Sequence, residues 1–307
     1  MEFQHLKNEL GLLRRREFDQ LSEGTVGMLL VTPLVALLGG LYLYPVLRAF
    51  VFSLNEVSLF LGESTFVGLQ HYIELLVTPR FHNALLNGIV YTVASVSLTL
   101  VIGIGTALLL NRTFVGERIA TGLILSPYLI PVVGTVLVFR WFFDGLYGVG
   151  NFVMLETGLI GERIAWFSST TYAMPMLILI SGWRLYPFVT MLVLAKLQTI
   201  PEEYYEAAHI MGISRWTQFW KITIPQLRSV LFVAILLRML WTFNLFDIIW
   251  LGTQGGPGTA TETLPVMAYR ITFIELNLGE GAAVAFVTCL VLVLGTLLYF
   301  RLYGMED

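Results

Sequence analysis

The chain has 307 residues, of which 56% are hydrophobic and only 13% charged, and its mean hydropathy is +0.77. Soluble domains carry roughly 25% charged residues and could not cover so much apolar surface, which excludes an ordinary soluble enzyme and, at the other extreme, a disordered chain. The formal net charge of −3 comes without a basic tract able to neutralise a run of phosphates, so no nucleic-acid partner is expected.

In chain order, residues 1–25 form a polar N-terminal segment carrying Lys7, Arg14, Arg15 and Arg16. The first apolar run, predicted as a helix over 26–52, is too long for the core of a cleavable signal and is expected to stay as an anchor. Within 53–83, Phe66, Leu69, Tyr72, Ile73 and Leu76 recur near helical spacing. That pattern suits a helix lying in the membrane interface and equally a loop packed over a bundle. Further helices are predicted at 85–110, 119–143, 171–195, 229–250 and 283–302, each close to the roughly 20 apolar residues that a bilayer core about 30 Å thick demands. Thr253, Gln254, Gly255, Gly256, Pro257 and Gly258 form a turn-rich loop after the fifth. Cys289, the single cysteine, closes no intrachain disulfide and reads as a small buried hydrophobe. The expectation is an all-α integral membrane protein with six transmembrane helices.

Basic residues set its orientation. Eleven of the eighteen Lys and Arg residues fall on one side: the four near the N-terminus, Arg112, Arg118, Lys196, Arg215, Lys221, Arg228 and Arg301. Only Arg80, Arg163 and Arg270 fall in the opposite segments. Basic loops stay in the cytoplasm, so both termini are predicted cytoplasmic.

The connection between the fourth and fifth spans is longer than a simple link requires. Pro201, Glu202 and Glu203 suit a first helical turn, Gly212 a left-handed stop, and Ser214 the cap of a second short helix ending near Lys221. Pro225 marks the exit before the next span. Tyr204, Ala207, Ala208, Ile210, Met211, Trp216, Phe219 and Trp220 give this elbow an apolar surface.

Glu206-Ala207-Ala208, then Gly212, Ile222 and Ile224-Pro225, at the spacing Glu-Ala-Ala-x3-Gly-x9-Ile-x-Leu-Pro, resembles the EAA loop of binding-protein-dependent ABC importer permeases. Ile224 replaces the usual Leu at nearly constant volume, and Met211 stands where sugar permeases often carry Asp. Tyr44-Pro45, Phe66-Val67-Gly68-Leu69, Ser126-Pro127-Tyr128, Arg140-Trp141 and Gly255-Gly256-Pro257 with Thr261-Glu262-Thr263 extend the likeness in register, toward the maltose and glycerol-phosphate type.

The resemblance implies a type I ABC importer permease fold. It implies a cytoplasmic segment 1–25, a transmembrane domain 26–302 with the coupling loop 199–226, and a tail 303–307. It also implies a prokaryotic cell membrane and, as partners, a second permease subunit, an ABC ATPase dimer, an extracytoplasmic solute-binding protein and a small-molecule solute. No Gly-rich loop ending in Gly-Lys-Ser/Thr occurs, so ATP and Mg would sit on the partner ATPase, and neither a catalytic nor a metal site is expected here. Glu206, Ala207, Ala208, Gly212, Ile222, Ile224 and Pro225 would couple to that ATPase.

Mid-span charges cost roughly 2.5–3.5 kcal/mol on insertion scales and usually face a cavity or a partner. Arg184, with Ser181 and Phe188, and Arg238, with Trp241 and Thr242, share helical faces and match the family's translocation path; Asn244 lies nearer the outer end. These seven are the candidate solute-facing residues. An ion-coupled secondary transporter is the alternative, disfavoured because Asp247 is the sole carboxylate well inside a span.

Overall fold

A computed structural model describes residues 23–57 and 64–303. The arginine triplet at 14–16 and the last four residues lie outside the described residues. Helix α1 (Glu23–Leu38) continues through one π-helical turn (Gly39–Leu43) into α2 (Tyr44–Ser53). A short antiparallel hairpin, β1 (Asn55–Val57) with β2 (Ser64–Phe66), pairs Asn55 with Phe66 and is the one departure from an all-helical fold among the described residues. Next come α3 (Gln70–Val77), α4 (Pro79–Leu110), α5 (Glu117–Leu129), α6 (Val132–Phe142), α7 (Val149–Glu156) and α8 (Ala173–Leu197). The chain then forms α9 (Glu203–Ile210), α10 (Arg215–Gln218), a π turn (Phe219–Thr223), α11 (Ile224–Phe243), α12 (Asp247–Thr253), α13 (Leu264–Tyr269), a third π turn (Arg270–Ile274) and α14 (Leu278–Tyr303).

Among the described residues, five helices are long and apolar enough to cross a membrane: Gly27–Ser53, α4, α8, Arg215–Phe243 and α14. The third predicted span is not one helix. α5 and α6 meet at 97° across Ile130 and Pro131. A residue before proline is pushed out of the α region, and Ile130 is extended, with ψ 131°. The fifth span also differs from the expected 229–250. It begins at Arg215 and stops at Phe243, and Asp247 opens a separate short helix.

Pro225 does not mark a break. It follows a π turn by two residues, as Pro45 does, and in both places an N–H reaches back five residues, from Ile224 to Phe219 and from Tyr44 to Gly39. Proline lacks an N–H and its ring crowds the carbonyl four residues back; the wider turn accommodates both.

α8 is the hub: 56% of its most apolar window is buried, against none of the first span's. Tyr91 meets Ser181 and Thr106 meets Thr190, so α4 and α8 run parallel. α11 runs the other way, with Leu227 packed beside Ala107 and Leu197 at one end and Phe243 beside Phe81 and Ala84 at the other. Glycines set the spacing: a Cβ on Gly103 would lie 2.6 Å from Val189 Cβ. α3 buries His71 and Leu75 and exposes Ile73 and Leu76, so this stretch is a helix with one face packed on the bundle. Cys289 is exposed rather than buried, because an apolar residue on the rim of a membrane bundle faces lipid.

Gly103→Val should cost about 1–3 kcal/mol or more through overpacking, whereas Gly105→Val, with nothing within 4 Å of its Cβ, should be tolerated. Melting of the two detergent-purified variants, followed by size-exclusion chromatography, checks the contrast.

Candidate functional site: an exposed elbow and a buried polar nest

The elbow between α8 and α11 is a built structure. Gly212 has φ +70°, and the N–H groups of Gly212 and Ile213 donate to the carbonyls of His209 and Ala208, closing α9 with a Schellman motif. Ser214 caps α10 by accepting from the N–H of Thr217, and the Gln218 amide donates to the Ile213 carbonyl. The hydroxyls of Tyr205 and Thr223 are hydrogen-bonded at 3.1 Å, fastening α9 to the base of the fifth span. Ala208 is buried in this joint, while Glu206, Ala207 and Gly212 face outward. Ile222 and Ile224 are half-buried and Pro225 is exposed. Ile210 is 86% and Trp216 71% exposed, leaving apolar surface beside the exposed Glu206 carboxylate, with Glu202 and Glu203 at the start of the same helix. The second short helix does not end near Lys221 but runs on into α11.

The seven candidate solute-facing residues divide between two environments. Ser181, Arg238 and Thr242 are buried among α4, α8 and α11, with Arg238 only 2% exposed. Arg184 is half-buried, and Trp241 and Asn244 are exposed. Along α11, Thr242 lies four residues from Arg238 and stays on its stripe, but Trp241, three residues on, sits about 60° round the other way, at the open edge. There its ring packs edge-to-face on Phe188, with centroids 5.1 Å apart.

The buried part is a polar nest at mid-depth. Arg238 lies within electrostatic reach of Tyr91, Tyr128 and Arg184, and Tyr91 is hydrogen-bonded to Ser181. Nε of Arg184, Nε and Nη2 of Arg238 and the hydroxyls of Thr92, Ser95 and Thr242 have no hydrogen-bond partner among the described residues. Sequence reasoning missed Tyr91, Ser95 and Tyr128. The available signal was a stripe of hydroxyls at Tyr91, Ser95 and Thr99, four residues apart along α4.

Also unforeseen is a clamp at the opposite end from the elbow. Arg80 donates from Nε and Nη2 to the two carboxylate oxygens of Glu262, both at 2.8 Å, and from Nη1 to Glu275 at 3.0 Å. Glu262 is fully buried, with Arg270 a further 3.6 Å away. Asn83 and Asn87 donate to the Thr259 carbonyl, and Asn87 also to that of Glu262, pinning the turn-rich loop onto α4.

Residues 99–305 match a family described as binding-protein-dependent transport system inner membrane component. The chain is 33% identical over 301 residues, 98% of it and 97% of the relative, to the sulfoquinovosyl glycerol transport system permease protein SmoG of Agrobacterium fabrum. It is 31% identical to the trehalose/maltose transport system permease protein MalF of Thermococcus litoralis, covering 91% of this chain and 94% of that one. Among solved structures, a bacterial ABC transporter that imports the acidic polysaccharide alginate contains a chain of the same fold, with TM-score 0.78 and 18% identity over 94% of this chain and 98% of that one.

Arg80→Gln, which removes the bidentate partner of the buried Glu262 carboxylate and leaves it only Arg270 at 3.6 Å, should cost about 3 kcal/mol. Glu275→Gln, which removes an exposed partner, should cost about 1 kcal/mol or less. Melting midpoints in lipid nanodiscs test the ranking.

Proposed function

The chain belongs to the family of binding-protein-dependent transport system inner membrane components, and on that footing we propose that it is the permease subunit of an ATP-driven importer for a sugar or polyol. The named relatives that handle sugars support the solute class. In this reading the elbow faces the cytoplasm, in accord with the distribution of Lys and Arg, and docks on an ATPase subunit that holds ATP and Mg. A second permease subunit completes the path, and a solute-binding protein delivers solute at the clamp end; another solved transporter of this fold was captured with its periplasmic protein bound to an alginate pentasaccharide.

One observation carries the mechanism. The helix Arg215–Phe243 runs from the exposed elbow to the nest, so its two ends cannot move independently. Closure of the ATPase dimer would push α9, and the Tyr205–Thr223 bond with the Schellman turn would pass that displacement to α11. Arg238, Trp241 and Thr242 would then shift against Ser181, Arg184 and Phe188 on α8, exchanging inward for outward access. Nucleotide biases this equilibrium only through its different affinity for the two arrangements. Glu206 would supply a charge-assisted contact that resists slipping, and the apolar surface beside it the buried area.

Glu206→Ala should weaken docking by roughly tenfold or more, the worth of a hydrogen bond to a charged group. Gly212→Pro should abolish coupling, since proline cannot adopt φ +70° and removes the N–H that bonds His209. Solute uptake normalised to membrane-inserted protein measures both; wild-type uptake by the two variants would contradict the assignment.

A further inference from the structure

Resting on that reading of the path, we propose that the solute bears an anionic group, a carboxylate, sulfonate or phosphate, held between Arg184 and Arg238. A neutral sugar needs a mixture of donors and acceptors. Two guanidiniums, which only donate, are unpartnered here beside hydroxyls that donate or accept, so it is the positive charge that a neutral sugar would leave unanswered. Unpartnered on buried atoms are Nε of Arg184, Nε and Nη2 of Arg238, and the hydroxyls of Ser95 and Thr242.

The charge balance points the same way. Neither arginine forms an ion pair among the described residues, although Arg80, at the outer end of the same bundle, is met by two carboxylates. Arg184 and Arg238 lie within electrostatic reach of each other. Two cations sharing a low-dielectric site repel each other, and an anion between them reverses the sign of that interaction. Arg184 is half-buried and Arg238 buried, each about one helical turn from the Phe188–Trp241 contact at the open edge. The Phe188–Trp241 pair at that edge offers a ring face to the sugar body.

The test uses the full-length chain purified in its assembled transporter, with D-glucuronate, D-glucose and inorganic sulfate as probes, and thermal shift against ligand concentration as the readout. Glucuronate should stabilise the protein at concentrations roughly tenfold below glucose and sulfate. Arg238→Gln and Arg184→Gln should each erase that preference, and Arg238→Lys should retain part of it. Without ligand, Arg238→Gln should melt no lower than wild type, because it removes an uncompensated charge rather than a bonded one. Equal affinity for glucose and glucuronate, both lost in Arg238→Gln, would keep the path and overturn the anion. Sulfate matching glucuronate would overturn the assignment to the solute. A glucuronate preference untouched by all three substitutions would overturn the site itself, and ATP-driven uptake measured in parallel shows separately whether the importer reading stands.

Discussion

The close approach of α4 and α8 is the constraint on which the rest of this structure depends. Hydrophobic driving force is weak between helices already dissolved in lipid, so they associate through van der Waals contact and interhelical hydrogen bonds, both of which require small residues at the crossing. Gly103 and Gly182 provide that room, and Thr106–Thr190 and Tyr91–Ser181 provide the bonds. With α4 and α8 locked in parallel, α11 has one groove to lie in, and its Arg238 and Thr242 are carried to the hydroxyl stripe of α4. The polar nest is thus a consequence of backbone proximity, in which a few side chains meet without room for a helix between them.

A second theme is stiffness where proline would ordinarily interrupt. π turns ahead of Pro45 and Pro225 let a helix pass through instead of breaking. At Pro131 no such turn precedes the ring, and the chain bends by 97°. The same residue type therefore yields a continuous rod in one span and a corner in another, and the rod is the one that joins the elbow to the nest. The opposite end is held differently, by the buried Glu262 and its arginines, so the loop after α12 is anchored to α4 independently of the elbow.

Much of this was legible in the sequence, because membrane spans announce themselves by length and apolarity and because capping residues act locally. The elbow's Gly212 turn and Ser214 cap are set by neighbours a few residues away. The break at Ile130, by contrast, sits inside a run whose composition is indistinguishable from a continuous span. The π turns depend on how a helix relaxes around a proline, which periodicity does not encode. The clamp joins residues 182 positions apart, and nothing local in either segment names the other. Along the face read through Arg238, Trp241 and Thr242, Arg238 and Thr242 are buried and Trp241 is exposed, because steps of three and four residues fall on opposite sides of a helical stripe.

The central claim is that this chain moves solute only when a separate ATPase drives the elbow. Reconstitution into vesicles with and without the companion subunits, monitored as solute accumulation on adding ATP, tests it most directly. The account predicts accumulation by the full assembly and none by this chain alone under any ion gradient. Concentrative uptake by the isolated chain would contradict it.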